Sequence, residues 1–332
     1  MTRASRTVGF SLTEVLVALA LASLLLVGLT RVVTTASRAL ALRDVQAEMR
    51  ERARYAMALL EPEIQMAGYY GLSARGATFN WLQGGAVATA LPAAQMLQSS
   101  APVATAPSAA HDCGSNYVLD LGVPLQADND RFQLGPHRGA VCAPSGGARA
   151  GSDTLTVRRA ATAIAAADPG RFQLLADRSD ERRRWLLADG VAPALLVAAP
   201  DRLEWHDLQL NIYYIANDSV GAAGTPALRV KSLTRVSGRP TFVDNEVLPG
   251  IEDLQIRLIT DTGTYDPDAL PLSASVRMIE LWLRVRAATA ETGYRDTRVY
   301  RYADVVTTPA AAEQGFRRLL VNRRIALRNA AP

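Results

Sequence analysis

Residues Phe10–Thr30 read FSLTEVLVALALASLLLVGLT, and this stretch decides how the rest of the chain is understood. As a helix it would be roughly 32 Å long, about the thickness of a bilayer's hydrocarbon core. Before it stand nine short, polar residues, Met1–Gly9, which carry Arg3 and Arg6. The apolar run exceeds the roughly 7–15 residues of an ordinary secretory signal, and no A-x-A site closes it. Composition alone makes it a single-pass anchor with its positive end in the cytoplasm. Glu14 is the anomaly. A carboxylate inside an apolar span costs about 2.5–3.5 kcal/mol, so such a charge calls for a partner. The span holds no basic residue. A cut after Gly9 would create one, because the new amino group of Phe10 would lie one helical turn from Glu14.

Beyond the span the helical pattern continues with charges added. Leu42, Val45, Met49, Ala53, Ala56, Leu60 and Ile64 recur at steps of three and four and form one apolar stripe. Arg43, Asp44, Glu48, Arg50, Glu51 and Arg54 take the other faces. No proline interrupts the chain from Phe10 to Glu61. Pro62 is expected to kink or end the helix, and Gly68 and Gly71 to punctuate it. A helix of about 50 residues is too long for an ordinary globular domain, so half of it spans and the striped half needs a sheet to cover it.

The pattern G-F-S-L-x-E followed by an apolar run resembles the type III signal of prepilins. The resemblance implies cleavage after Gly9 by a membrane peptidase, N-methylation of Phe10, and pairing of Glu14 with the amine of a neighbouring subunit during assembly. Residues 46–71, QAEMRERARYAMALLEPEIQMAGYYG, look like a stretch of the PilW family of minor pilins, matching at Arg54, Tyr55, Ala56, Leu60, Glu63, Ile64, Met66, Ala67, Gly68, Tyr69 and Gly71. The blocks GSDTLTVRRA (151–160), VLPGIEDLQIRL (247–258) and ALRN (326–329) are similar to that family as well. Leu72 stands where family members often carry Cys. The fold implied is α+β, a type IV pilin-like lollipop with a long N-terminal helix packed on an antiparallel β-sheet head.

Five regions are expected: a cleaved leader (1–9), a transmembrane helix half (10–30), an amphipathic helix half (31–67), a loop-rich region with a cysteine pair (68–150) and a β-rich head (151–332). Residues 86–110, rich in Ala, Pro, Ser and Thr, read as a surface loop. From Asp153 onward, period-two alternation around Leu155–Val157, Leu208–Tyr214, Leu254–Leu258 and Ile279–Val285 predicts strands with one solvated face. Past the membrane such a chain enters the oxidising periplasm, so Cys113 and Cys142 are expected to be bonded to each other.

Other chemistries find little support. The mean hydropathy of +0.04 excludes disorder. The 36 basic residues are nearly matched by 32 acidic ones and lie scattered, which argues against nucleic acid. His111, His137 and His206 are far apart and head no metal or triad motif, so no cofactor or metal is expected and the chain does not read as an enzyme. The acidic loops Asp128-Asn129-Asp130 and Asp261–Asp268 offer oxygens for Ca²⁺ but fit no EF-hand, and such clusters are usually turns.

The resemblance implies a structural subunit of the bacterial type IV pilus, acting with other minor pilins and the major pilin in a priming or tip complex that presents an adhesin and serves twitching motility. It implies residence in the inner membrane with a periplasmic head, then in the pilus at the cell surface, with the prepilin peptidase as a transient partner. A pseudopilin of a type II secretion system and a membrane-tethered periplasmic enzyme are the alternative readings.

Overall fold

The computed structural model describes residues 11–71, 78–83, 86–87, 91–92, 113, 117–119, 121–132, 143–178, 185–188, 190, 200–271 and 274–329. The chain divides into two compact units, Met1–Glu48 and Met49–Pro332, and the division falls inside one helix, α1 (Leu12–Gln65, 54 residues).

In the first unit α1 is built from Ala, Leu and other strong helix formers, with no proline before Pro62. Its hydroxyl residues bond the helix's own carbonyls: Ser23 Oγ donates to Ala20 O at 2.8 Å, Thr30 Oγ1 to Leu26 O at 2.9 Å and Thr35 Oγ1 to Arg31 O at 2.8 Å. Such back-bonding lets a polar side chain sit in an apolar medium without an orphaned group. Every residue from Leu12 to Ala41 is exposed, and this helix is long and apolar enough to cross a membrane.

In the second unit α1 changes character. Met49, Ala53, Ala56, Met57, Leu60 and Ile64 are buried, the stripe expected from the three- and four-residue spacing, whereas Leu42 and Val45 are only half-buried. Pro62 lies inside the helix, which continues to Gln65. The chain then turns away through Gly68 and Gly71, both at positive φ (75° and 71°), a conformation glycine adopts without a Cβ penalty.

The strands in chain order are β1 (Thr78–Gln83), β2 (Ala86–Val87), β3 (Leu91–Pro92), β4 (Leu125–Asp128), β5 (Thr154–Ala160), β6 (Gln173–Asp177), β7 (Trp185–Ala188), β8 (Leu203–Ala216), β9 (Ala227–Val236), β10 (Arg239–Pro249), β11 (Ile251–Thr260), β12 (Thr264–Tyr265), β13 (Val276–Arg286), β14 (Tyr300–Tyr302), β15 (Val305–Thr307) and β16 (Arg318–Ala326). A ten-stranded sheet follows the order β10-β9-β8-β6-β7-β1-β2, with β5 bridging β4 and β8, and β3 on β1. A four-stranded sheet runs β12-β11-β13-β16, and β14-β15 form a separate hairpin. Pairing is antiparallel except β1 with β7, which is parallel. The fold is thus α+β, a long apolar N-terminal helix followed by a strand-rich head. β2 and β3 lie in the stretch read as a surface loop; the rest of 86–110 falls outside the described residues.

The four strands expected from alternation are β5, β8, β11 and β13. The expectation of one solvated face, however, needs correction. On β5 and β8 one face carries Leu155, Val157, Arg159, Asn211 and Tyr213, and Glu63 of α1 accepts from Arg159 (2.5 Å) and Asn211 (3.0 Å) there. The opposite face carries Arg158, Ala160, Leu208, Leu210 and Ile212 and is covered by Tyr70, Cys113, Tyr117, Val118 and Leu121. Thr156 and Arg158, which read as solvent-facing, are buried, and so is Thr154. The guanidinium of Arg158 lies 4.6 Å over the Tyr117 ring and donates to the carbonyls of Tyr117 and Val123.

Candidate functional site

The helix start is the first place where sequence and geometry meet. Ser11 precedes α1 as its N-cap, and Glu14 is the third helical residue. The Ser11 N–H donates to Glu14 Oε2 at 3.1 Å, and the Glu14 N–H donates to Ser11 Oγ at 3.2 Å. This reciprocal pair is a capping box: each side chain satisfies one of the orphan donors that every helix N-terminus leaves. In sequence it is the S-x-x-E pattern Ser11-Leu12-Thr13-Glu14. Glu14 therefore has a hydrogen-bond donor within its own chain, besides any amine. It also sits where the helix dipole favours an anion. Gly9 and Phe10, the expected processing site, lie outside the described residues.

Cys113 is fully buried beneath β8, at φ 65°, and is disulfide-bonded. Cys142, its expected partner, lies outside the described residues. So do His111 and His137. His206, on β8, is buried, and its Nδ1–H donates to the Ala161 carbonyl at 2.9 Å. Among the described residues its Nε2 has no hydrogen-bond partner; it lies 3.8 Å from Glu204 Oε2 and faces Gly71, where an added Cβ would approach to 3.1 Å.

The acidic loops are engaged by arginine. Asp261 pairs with Arg277 (3.0 Å), Asp266 with Arg257 (2.9 Å) and Asp268 with Arg131 (2.7 Å). Asn129 donates to Asp304 at 2.9 Å. Ca²⁺ sites instead converge several uncompensated oxygens on one point. Among the described residues, no group of three His, Cys, Asp or Glu could hold a metal ion.

The densest electrostatic construction lies in the four-stranded sheet, where no sequence motif pointed. Glu252 of β11 is almost fully buried and accepts from Arg318 Nε (2.7 Å) and Nη2 (2.9 Å) and from Arg284 Nε (2.9 Å), with Arg149 at 3.8 Å. Burial alone would raise its pKa. Hydrogen bonds from Arg318 and the charges of Arg284, Arg318 and Arg149 overcome that and hold it below the ordinary carboxylate value. Arg318 also faces Asp296 (3.6 Å) and Glu313 (3.8 Å), and Asp296 accepts from the Tyr300 hydroxyl at 2.7 Å. The network fastens the excursion between β13 and β16 to the sheet. Its members are separated by tens of residues in sequence, so no local pattern announces it.

Beside it, Asp153 accepts backbone N–H bonds from Asp130 (2.9 Å) and Ile256 (2.8 Å). Burial pushes its carboxyl up to about 8, against those bonds, and the charges of Asp253 and Asp304 push the same way. Asp253 is likewise raised by burial and accepts from the Tyr302 hydroxyl.

No family model, curated protein or solved structure matches this chain.

Proposed function

We propose that this chain is a minor pilin of the PilW type, a structural subunit of the type IV pilus with the pilin-like architecture of stem and head. One observation carries the reading. The exposed, largely apolar surface of α1 runs from Leu12 to Ala41 with three charges, Glu14, Arg31 and Arg38, and with its hydroxyl residues among the apolar ones. That is roughly 45 Å of helix, against the ~30 Å hydrocarbon thickness that a simple anchor has to match. Val32, Val33 and Leu40, each more than half exposed, are the surplus. A bilayer does not need them, and water disfavours them. Like helices packed side by side in a filament would cover them, and the same helices would bring a neighbour's amine to Glu14.

On this reading the head stands in the periplasm while α1 is in the inner membrane. The Cys113–Cys142 bridge would close a loop of about 30 residues in an oxidising compartment. The partners are other minor pilins, the major pilin and the prepilin peptidase, and the subunit belongs to a priming or tip complex.

Intact-mass analysis of membrane-extracted protein tests this directly. The mature chain should begin at N-methylated Phe10, and Gly9→Val should leave the full-length precursor in the inner membrane. A wild-type mass beginning at Met1 would overturn the proposal.

A further inference from the structure

The strand-rich head ends in two long edge strands, and they are finished differently. β10 is blunted along its length: Pro240 and Pro249 lack N–H donors, the ladder shifts register between Glu246 and Leu248, and Arg229 Nη2 donates to the Asp244 carbonyl (3.4 Å). These are the usual defences of a sheet edge against pairing with another chain. β16 lacks the prolines and the register shift, and the side-chain donor on it, Arg298, reaches only the carbonyl of its first residue, Arg318. The strand pairs with β13 through nine consecutive residues without a bulge.

The hydrogen-bond phase of β16 is fixed at both ends. Leu327 N donates to Arg277 O and Ala287 N to Arg317 O, each at 2.9 Å. In an antiparallel ladder, residues exchange bonds with the partner strand alternately. Leu319, Val321, Arg323 and Ile325 therefore face β13, and the N–H and C=O groups of Leu320, Asn322, Arg324 and Ala326 face outward. Among the described residues nothing bonds those four. The row is closed just beyond them: Arg298 donates to the Arg318 carbonyl at 3.2 Å, and the Arg328 N–H donates to the Gln65 carbonyl of α1 at 3.0 Å. Between the two stops lies an open edge long enough for a guest strand of about six or seven residues.

The side chains leave this edge uncovered. Arg323 is drawn onto Glu61 of α1, and Arg324 onto Glu280 of β13 (3.2 Å). Both guanidinium stems thus lie along the sheet rather than across its edge, and both remain more than half exposed. At the other end Leu319, Leu320 and Val321 are only half-buried, as apolar residues are when the next strand is missing.

We infer that β16 is a docking edge for an extended strand of another protein, apolar where it lies beside Leu319–Val321 and acidic where it meets Arg323 and Arg324. Main-chain bonds to Leu320, Asn322 and Arg324 supply the affinity, and the flanking side chains select the sequence. A second copy of this chain fits poorly, because an antiparallel self-pair gathers Arg323 and Arg324 of both copies into one short run. That the guest is a neighbouring pilus subunit rests on the proposed function; the edge itself does not.

The test uses the full chain in detergent and a labelled synthetic peptide, Thr-Glu-Glu-Thr-Val-Thr-Val-Thr, whose two adjacent glutamates, on opposite faces of the strand, meet Arg323 and Arg324 in antiparallel register. Fluorescence anisotropy should show binding. Asn322→Pro, which deletes an outward N–H and no backbone bond to β13, only the exposed 3.5 Å side-chain bond to Glu280, should weaken it by about tenfold or more, with the melting temperature of the head little changed. Amide exchange provides the second measurement, on the unsubstituted chain. The peptide should slow exchange at Leu320, Asn322 and Arg324 while leaving Val321 and Arg323 as they were. Absence of binding, equal binding by Asn322→Pro, or protection elsewhere on the head would overturn the inference. So would a dimer of the chain that Asn322→Pro dissolves. Each readout is independent of processing at Gly9, so failure here and failure of the pilin reading are separable.

Discussion

The two parts of α1 on either side of Glu48 share one backbone conformation and differ in what surrounds them. Before the division, leucines and valines project on all sides, and none is buried. After it, the apolar residues keep to a stripe, and Leu60 and Ile64 are fully covered. A helix with apolar residues all round is matched to lipid or to other helices, and a striped helix is matched to a sheet. The difference shows that composition sets the medium of a segment even where secondary structure does not change.

The largest expected effect sharpens this contrast through pH, because the head carries buried titrating groups. Asp153 is neutral in the folded chain up to about 8 but ionises near 3.8 when unfolded. The folded state therefore holds the extra proton between those values. Its contribution is fully present below about 4, falls as pH rises through that window, and is gone above about 8; four pH units correspond to roughly 5 kcal/mol by linkage. Urea midpoints at pH 5, 7 and 9 should decline, and Asp153→Asn should flatten that slope. An unchanged slope in the variant would show that Asp153 does not titrate this way.

The next effect probes the buried network. Arg318→Met should cost about 3–5 kcal/mol in head stability, because it removes the main partner of the buried Glu252. Combining it with Glu252→Gln should recover part of the loss, as chemical denaturation of the single and double variants would show. Equal losses in the two would mean that the ion pair is not the source.

A third substitution pair bears on the two parts of the helix directly. Leu60→Ala should lower head stability by about 2–5 kcal/mol, while Leu24→Ala should change it by less than about 0.5 kcal/mol. A comparable drop for Leu24→Ala would break the contrast.

The smallest effect concerns the helix start. Ser11→Ala removes one arm of the capping box and should cost the first turn about 1 kcal/mol, read as faster amide exchange there; on the proposed function, cleavage after Gly9 should be unimpaired. Glu14→Ala removes the other arm, and on the proposed function it should also reduce piliation, which Ser11→Ala should do far less. Equal losses of piliation in the two variants would assign Glu14 to its own helix alone.

Much of this molecule was legible before any geometry. The uninterrupted apolar run from Leu12 fixed the long helix, since no proline or glycine pair breaks it and its residues are strong helix formers. Alternation fixed β5, β8, β11 and β13, because a pleated strand turns successive side chains to opposite faces. The fate of polar positions was not. Arg158, Glu252 and Arg318 have the same identity whether buried or solvated, and only partners brought from distant sequence neutralise and enclose them. Nor could sequence distinguish the protected edge at β10 from the open one at β16. Which strand lies last in a sheet is a property of the assembled order, settled when β13 finds β16 across more than thirty residues and nothing further among the described residues pairs with β16.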